Sequence, residues 1–133
     1  MCVATNVIGT VHTLRESYPE AVTAHRRALG HAIEADMCYM RVRALLGLAR
    51  AQLGAGHGDL ALACTDQALE LARPTGYRIL EGMALATVAE INWARERRSV
   101  AAEHARQALA LYREIGFPVG EEDTYTLLTT ISV

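Results

Sequence analysis

The side chains with chemical capacity are few, and their spacing decides most of what they can do. Gly54, Gly56 and Gly58 stand in GAGHGD, a glycine-rich loop of the sort that cradles phosphate when it follows a strand and opens a helix. Here it follows RVRALLGLARAQL, which is patterned as a helix, so the glycines read as turn residues. The five histidines contain no H-E-x-x-H and no pair at i, i+4, the spacings that bring imidazoles onto one metal, so neither a metal site nor a cofactor is expected. His25 and His104 read as ordinary surface or half-buried side chains. Cys2, Cys38 and Cys64 are widely spaced and form no C-x-x-C; Cys38 and Cys64 read as buried or half-buried thiols on helices. No serine or cysteine lies in a local catalytic signature, and the chain is read as non-enzymatic. Arg95, Arg97 and Arg98 form a short basic run with Glu96 and Glu103 beside it, which reads as a solvated corner.

Composition narrows the function classes further. The chain has 133 residues, 51% of them apolar, enough for one compact domain with a sizeable core. A net charge of −2 argues against a dedicated nucleic-acid binder, which needs a basic surface to neutralise phosphates. There are 23 alanines, and arginine supplies all 13 positive charges with no lysine; this pairing suggests a GC-rich coding bias of the actinomycete kind. No stretch approaches the roughly 20 apolar residues that span a bilayer. The opening MCVATNVIGTVHTL lacks a basic leading region and carries Asn6 and His12, so it reads as neither a signal peptide nor an anchor. A cytoplasmic location is expected.

The elements that must position these side chains repeat along the chain. A lag of 40 residues aligns Ala4, Ala44 and Ala84, then Ala21, Ala61 and Ala101, then Ala28-Leu29, Ala68-Leu69 and Ala108-Leu109. Ile8, Leu48, Val88 and Leu128 share an aliphatic column, followed by the small residues Gly9, Ala49, Ala89 and Thr129. Each unit reads as two helices, because apolar residues recur at helical spacing and no segment alternates with period two. Helices are expected near residues 2–15, 18–35, 38–54, 59–73, 78–95, 99–115 and 119–131. Asp59 and Ser99 are placed as N-caps, and Ser17 with Glu20 as a capping box that tolerates Pro19 in its first turn. Asp36, Gly76 and Gly116 are placed as left-handed C-terminal stops. The small-residue columns let paired helices approach to ~8–10 Å. One pair cannot bury its apolar face alone, so the chain reads as an all-α solenoid of stacked antiparallel pairs, with repeats near 2–36, 37–76 and 77–116 and a final helix at 119–131.

This pattern resembles the tetratricopeptide repeat: an aliphatic-small pair in helix A, a small residue early in helix B and an alanine late in helix B. Leu48-Ala49, Ala61 and Ala68 fill those places in one unit, and Val88-Ala89, Ala101 and Ala108 in the next. The usual period is about 34 residues, lengthened here in helix B and its following turn. The aromatic positions of helix A are taken by Thr5, Leu45 and Leu85, then by His12, Gln52 and Asn92. Long repeats of this form are similar to the C-terminal arms of actinobacterial antibiotic regulators and large LuxR-type regulators, in which the array receives a signal or partner. The resemblance implies a protein- or peptide-interaction module, the alternatives being an oligomerisation scaffold or a free-standing adaptor.

The repeat's usual geometry would line a concave groove with Asn6, Thr10, Arg43, Leu46, Arg50, Met83, Ala86, Glu90, Trp93, Asp123 and Thr126. Arg43 and Arg50 are two helical turns apart, about 10 Å, and suit the carboxylates of an extended ligand; the alternative reading makes Arg50 an ion-pair partner of Glu90. Met83 and Trp93 would supply an apolar shelf. Tyr125 and Leu128 on the last helix face the place of a further helix, which points to self-association as a C2 dimer. Ala68→Leu is expected to cost about 1–3 kcal/mol through overpacking if its column is an interhelix contact, as checked by the urea unfolding midpoint.

Overall fold

The computed structural model describes residues 17–132. Six α-helices occupy them: α1 Tyr18–Glu34, α2 Cys38–Gly54, α3 Gly58–Ala72, α4 Arg78–Ala94, α5 Arg98–Ile115 and α6 Pro118–Ser132. A 3-10 turn at Arg73–Thr75 prolongs α3, and no strand occurs among the described residues. Every described helix end falls within one residue of the sequence expectation; the helix expected over 2–15 lies outside the described residues.

Helices start at residues 18, 38, 58, 78, 98 and 118, so the structural period is 20, half the sequence lag. Two residues before each start from α2 onward, the backbone enters the left-handed region: Asp36 (φ 53°), Gly56 (88°), Gly76 (75°), Glu96 (62°) and Gly116 (70°). Four of the turns also share a bond, while at the Gly76 turn the Tyr77 amide donates to Thr75 Oγ1 at 3.0 Å. The amide of the next residue donates five positions back, from Met37 to Ala32 (2.9 Å), His57 to Gln52 (2.8 Å), Arg97 to Asn92 (2.8 Å) and Phe117 to Tyr112 (3.0 Å). This closure uses up one of the orphan carbonyls of the helix that is ending. Asp36, Gly76 and Gly116 therefore take the roles expected of them, and Gly56 and Glu96 join them inside the repeats.

The N-terminal ends differ from expectation. Helix α5 is capped by Arg97 with no side-chain bond, and the first amide bond of α3 runs from Ala61 to His57. Asp59 and Ser99 thus lie two residues past the cap positions, inside their helices. Asp59 in the first turn of α3 still favours the positive end of the helix dipole. Ser17 holds the N-cap position of α1, but its hydroxyl makes no capping bond. The left-handed turn already fixes where each chain reversal ends, which leaves little for a side-chain cap to add.

Chain contacts divide the protein into two compact units, Met1–Leu71 and Ala72–Val133. In both, the small-residue columns are the interhelix contacts: Ala21, Ala28, Ala44, Ala49, Ala61, Ala68, Ala84, Ala89, Ala101 and Ala108 are all at most 1% exposed. In the first unit, α1 and α2 run antiparallel, with the Tyr18 ring over Gly54 so closely that a Cβ there would collide with it. Ala28, Ala32, Met40 and Ala44 form a core cluster between them. The Cys38 thiol at the start of α2 donates to the Leu71 carbonyl at the end of α3, 3.7 Å away.

In the second unit, the start of α4 meets the end of α5 through Arg78 and Glu114 at 2.7 Å. The end of α5 meets the start of α6 through Arg113 and Glu121 at 3.0 Å. The buried Tyr112 ring locks the three helices together. It fills the space left by the missing side chains of Gly82 on α4 and Gly120 on α6, and stacks at a tilt on Phe117 at 5.5 Å.

No atom stands within 4 Å of where a Cβ on Gly116 would lie, so Gly116→Ala tests the backbone demand without a clash. It should cost about 1–2 kcal/mol. Glu96→Gly should raise stability by about 0.5–1 kcal/mol, the left-handed penalty relieved less the extra entropy of glycine. Urea unfolding midpoints measure both.

Candidate functional site

Helix α2 carries Arg41, Arg43 and Arg50 and no acidic residue. Arg43 and Arg50 are exposed, and the Arg43 guanidinium lies 6.0 Å from the centroid of the Tyr39 ring one turn earlier, an attractive cation–π arrangement that limits its freedom. Leu46, expected beside them in the groove, is only 2% exposed. It belongs to the core of its unit even though its spacing of three from Arg43 and four from Arg50 places it beside them on the helix. Asn6 and Thr10 lie outside the described residues.

In the second unit, Met83, Ala86, Glu90 and Trp93 are all half-buried and recur on one face of α4 at spacings of three and four. Trp93 is partly invested in the core, packed with Leu127 and Leu128 against Ala89, Ala101, Ala102, Ala105 and Ile131. Asp123 and Thr126 are exposed on α6, which also touches α4. The residues expected in the groove thus fall in two places, the basic ones on α2 of the first unit and the others on α4 and α6 of the second. Leu128 is half-buried and packs inward on the same cluster, whereas Tyr125 is 54% exposed.

His25 departs from the expectation of a surface or half-buried residue: it is 1% exposed. Its ring fills the space where a Cβ on Gly47 of α2 would stand. Burial, with the positive charge of Arg50 adding to it, lowers its pKa from 6.5 to about 4, so the imidazole is neutral at pH 7. The sequence signal was Gly47 itself, a glycine inside a helix with no turn to make.

The basic corner is more than solvated. Arg98 donates from Nε to the Ile131 carbonyl at 2.6 Å and lies over the Trp93 ring, 5.8 Å from its centroid, so it ties the start of α5 to the end of α6. Cys38 and Cys64 are half-buried as expected. The Cys64 thiol donates to Oε1 of the buried Gln52 at 3.4 Å. Burial pushes its pKa up, against the opposing influence of Arg26, which keeps it a thiol. His104 donates from Nδ1–H to the Val100 carbonyl, 2.9 Å away. No helix among the described residues is long and apolar enough to cross a membrane.

The architecture is an all-α, tetratricopeptide-like helical repeat. The structure is similar to the apo form of RapI, with a TM-score of 0.83 and 16% identity over 98% of this chain and 47% of that one. It is also similar to a TPR-like protein from Chlorobium tepidum, with a TM-score of 0.71 and 19% identity over 99% of this chain and 94% of that one. The chain thus spans about half the length of RapI. No family model and no curated protein matches the sequence.

The His25 pocket sets a pH dependence of stability. The folded pKa of about 4 lies below the unfolded 6.5, so between these values the unfolded chain binds more protons. The contribution is complete above pH 6.5, falls as pH drops towards 4 and levels off below it. About 3 kcal/mol is at stake. His25→Leu should flatten the unfolding free energy over that window by this amount, as read from urea titrations at stepped pH.

Proposed function

We propose that this chain is a cytoplasmic, non-enzymatic interaction module that holds an extended protein or peptide segment. We further propose that it works as the sensory or regulatory arm of a bacterial transcriptional regulator. The observation that carries the first reading is α2, a helix with three arginines and no acid that exposes Arg43 and Arg50 about 10 Å apart on one face. Tyr39 beneath Arg43 reduces the entropy lost when a carboxylate is bound. In the second unit, Met83 and Trp93 offer apolar surface for a ligand's side chains, with Asp123 and Thr126 as polar contacts nearby on α6. The regulator role is supported by the likeness of these long repeats to regulator arms. The mass of the native polypeptide, read by immunoblot, distinguishes an arm from a free-standing adaptor.

A scaffold reading accompanies this one, favoured by the exposed aromatic ring of Tyr125 on α6. It makes the chain a C2 homodimer through its terminal helices.

An extended glutamate-rich peptide added to isotope-labelled protein should perturb the amide resonances of Arg43 and Arg50 on α2. Arg43→Glu together with Arg50→Glu should weaken binding at least tenfold with the helical circular dichroism unchanged. Perturbations confined to α1, α3 and α5 would refute the groove.

A further inference from the structure

The outward stripe of α6 is Glu122, Tyr125, Thr129 and Ser132, all exposed and spaced three, four and three apart, which keeps them on one face. Its hydroxyls are already bonded within the helix, Thr129 to the Thr126 carbonyl at 2.8 Å and Ser132 to the Leu128 carbonyl at 2.9 Å. Their donors remain satisfied away from water, so the stripe can be covered at little cost. Tyr125 gives it an aromatic anchor, the kind of side chain that dominates buried contacts.

Ser132 at the end of the stripe also lines a cavity of about 430 Å³ whose other walls are Arg98, Ser99, Ala102, Arg106 and Ile131. That lining holds two guanidinium groups and no acid. Arg106 reaches Glu103 only at 3.7 Å, with both side chains more than 60% exposed, a weak surface contact. The cavity is therefore suited to a carboxylate. The stripe carries one at its opposite end, Glu122.

A two-fold axis reverses the order of residues across it, so two copies of α6 laid antiparallel bring the two ends together. We propose that α6 docks on α6 of a second copy about a two-fold near Tyr125 and Leu128, with Glu122 of each copy entering the Arg98–Arg106 cavity of the other. Charge complementarity selects a second copy over other occupants, since the same face supplies both the acid and its receptor, as a self-complementary interface requires. The proposal rests on the scaffold reading above and adds the ionic latch to it.

Light scattering coupled to size exclusion tests it on the full chain. The unaltered protein should be a dimer at high micromolar concentration. Glu122→Arg and Arg106→Glu should each raise the dimer dissociation constant at least tenfold, and the two together should restore the dimer, because the swapped charges still face each other. All these residues are exposed, and circular dichroism confirms that the variants keep their helices. A monomeric unaltered protein overturns both the latch and the scaffold reading, leaving the stripe to a different partner. A dimer broken by Tyr125→Asp but indifferent to Glu122→Arg overturns the latch alone.

Discussion

Five times in the described chain the backbone passes through the left-handed region, each time two residues before a helix starts. This recurring turn is the constraint on which the remaining architecture depends. It ends one helix by satisfying a carbonyl from within the chain and aims the next back along it. Because the spacing is constant at 20 residues, equivalent side chains return to equivalent places, and a column of alanines can serve as a column of contacts. The constraint is paid for in three turns by glycine and in two by Asp36 and Glu96, which tolerate the conformation at a cost.

Close approach is the second consequence. Alanine at the contact columns brings helix axes near enough that the interhelix space is filled mostly by backbone and β-carbons, which explains how a chain with 5% aromatic residues still buries a core. Where a larger group must fit, a helical glycine makes the room. Gly47 admits His25, Gly54 admits Tyr18, and Gly82 with Gly120 admits Tyr112. These glycines are not permissive of unusual backbone angles; they are permissive of volume. Substituting alanine at any of them pits a new Cβ against a ring, so each glycine and its ring behave as one packing unit.

Most of the fold was legible in the sequence because the columns repeat. The 40-residue lag located every described helix to within one residue. The finer 20-residue period was hidden, because its marker is a backbone angle and not a residue type: Glu96 stands where Gly56 stands and shares nothing with it but φ. The capping positions misled for the same reason. Asp59 and Ser99 are good cap residues, but the turn sets the caps two residues earlier, at His57 and Arg97. The site was legible in part. Arg43 and Arg50 are on the surface where helical spacing places them, whereas Leu46 has gone into the core, since spacing along one helix does not reveal how deep its neighbours sit. The depth of His25 was likewise beyond one-dimensional reading; it depends on Gly47, 22 residues away.

Arg98 illustrates how the same physics joins fold to surface. Its Nε bonds the Ile131 carbonyl, one of the last four of α6 that have no partner within the helix, and its guanidinium covers Trp93. The positive charge at the negative end of the α6 dipole is favourable in itself. It also fixes one wall of the cavity that Ser132 completes. A residue that reads as a solvated arginine in a charged turn is thus a helix-end ligand, a cover for an aromatic ring and one wall of a cavity. The three roles are compatible because guanidinium is planar: its Nε can point at a carbonyl while its faces and remaining donors stay available to other groups. Lysine, with a single nitrogen and no face, could not hold all three, which gives physical meaning at this position to a chain that uses arginine alone.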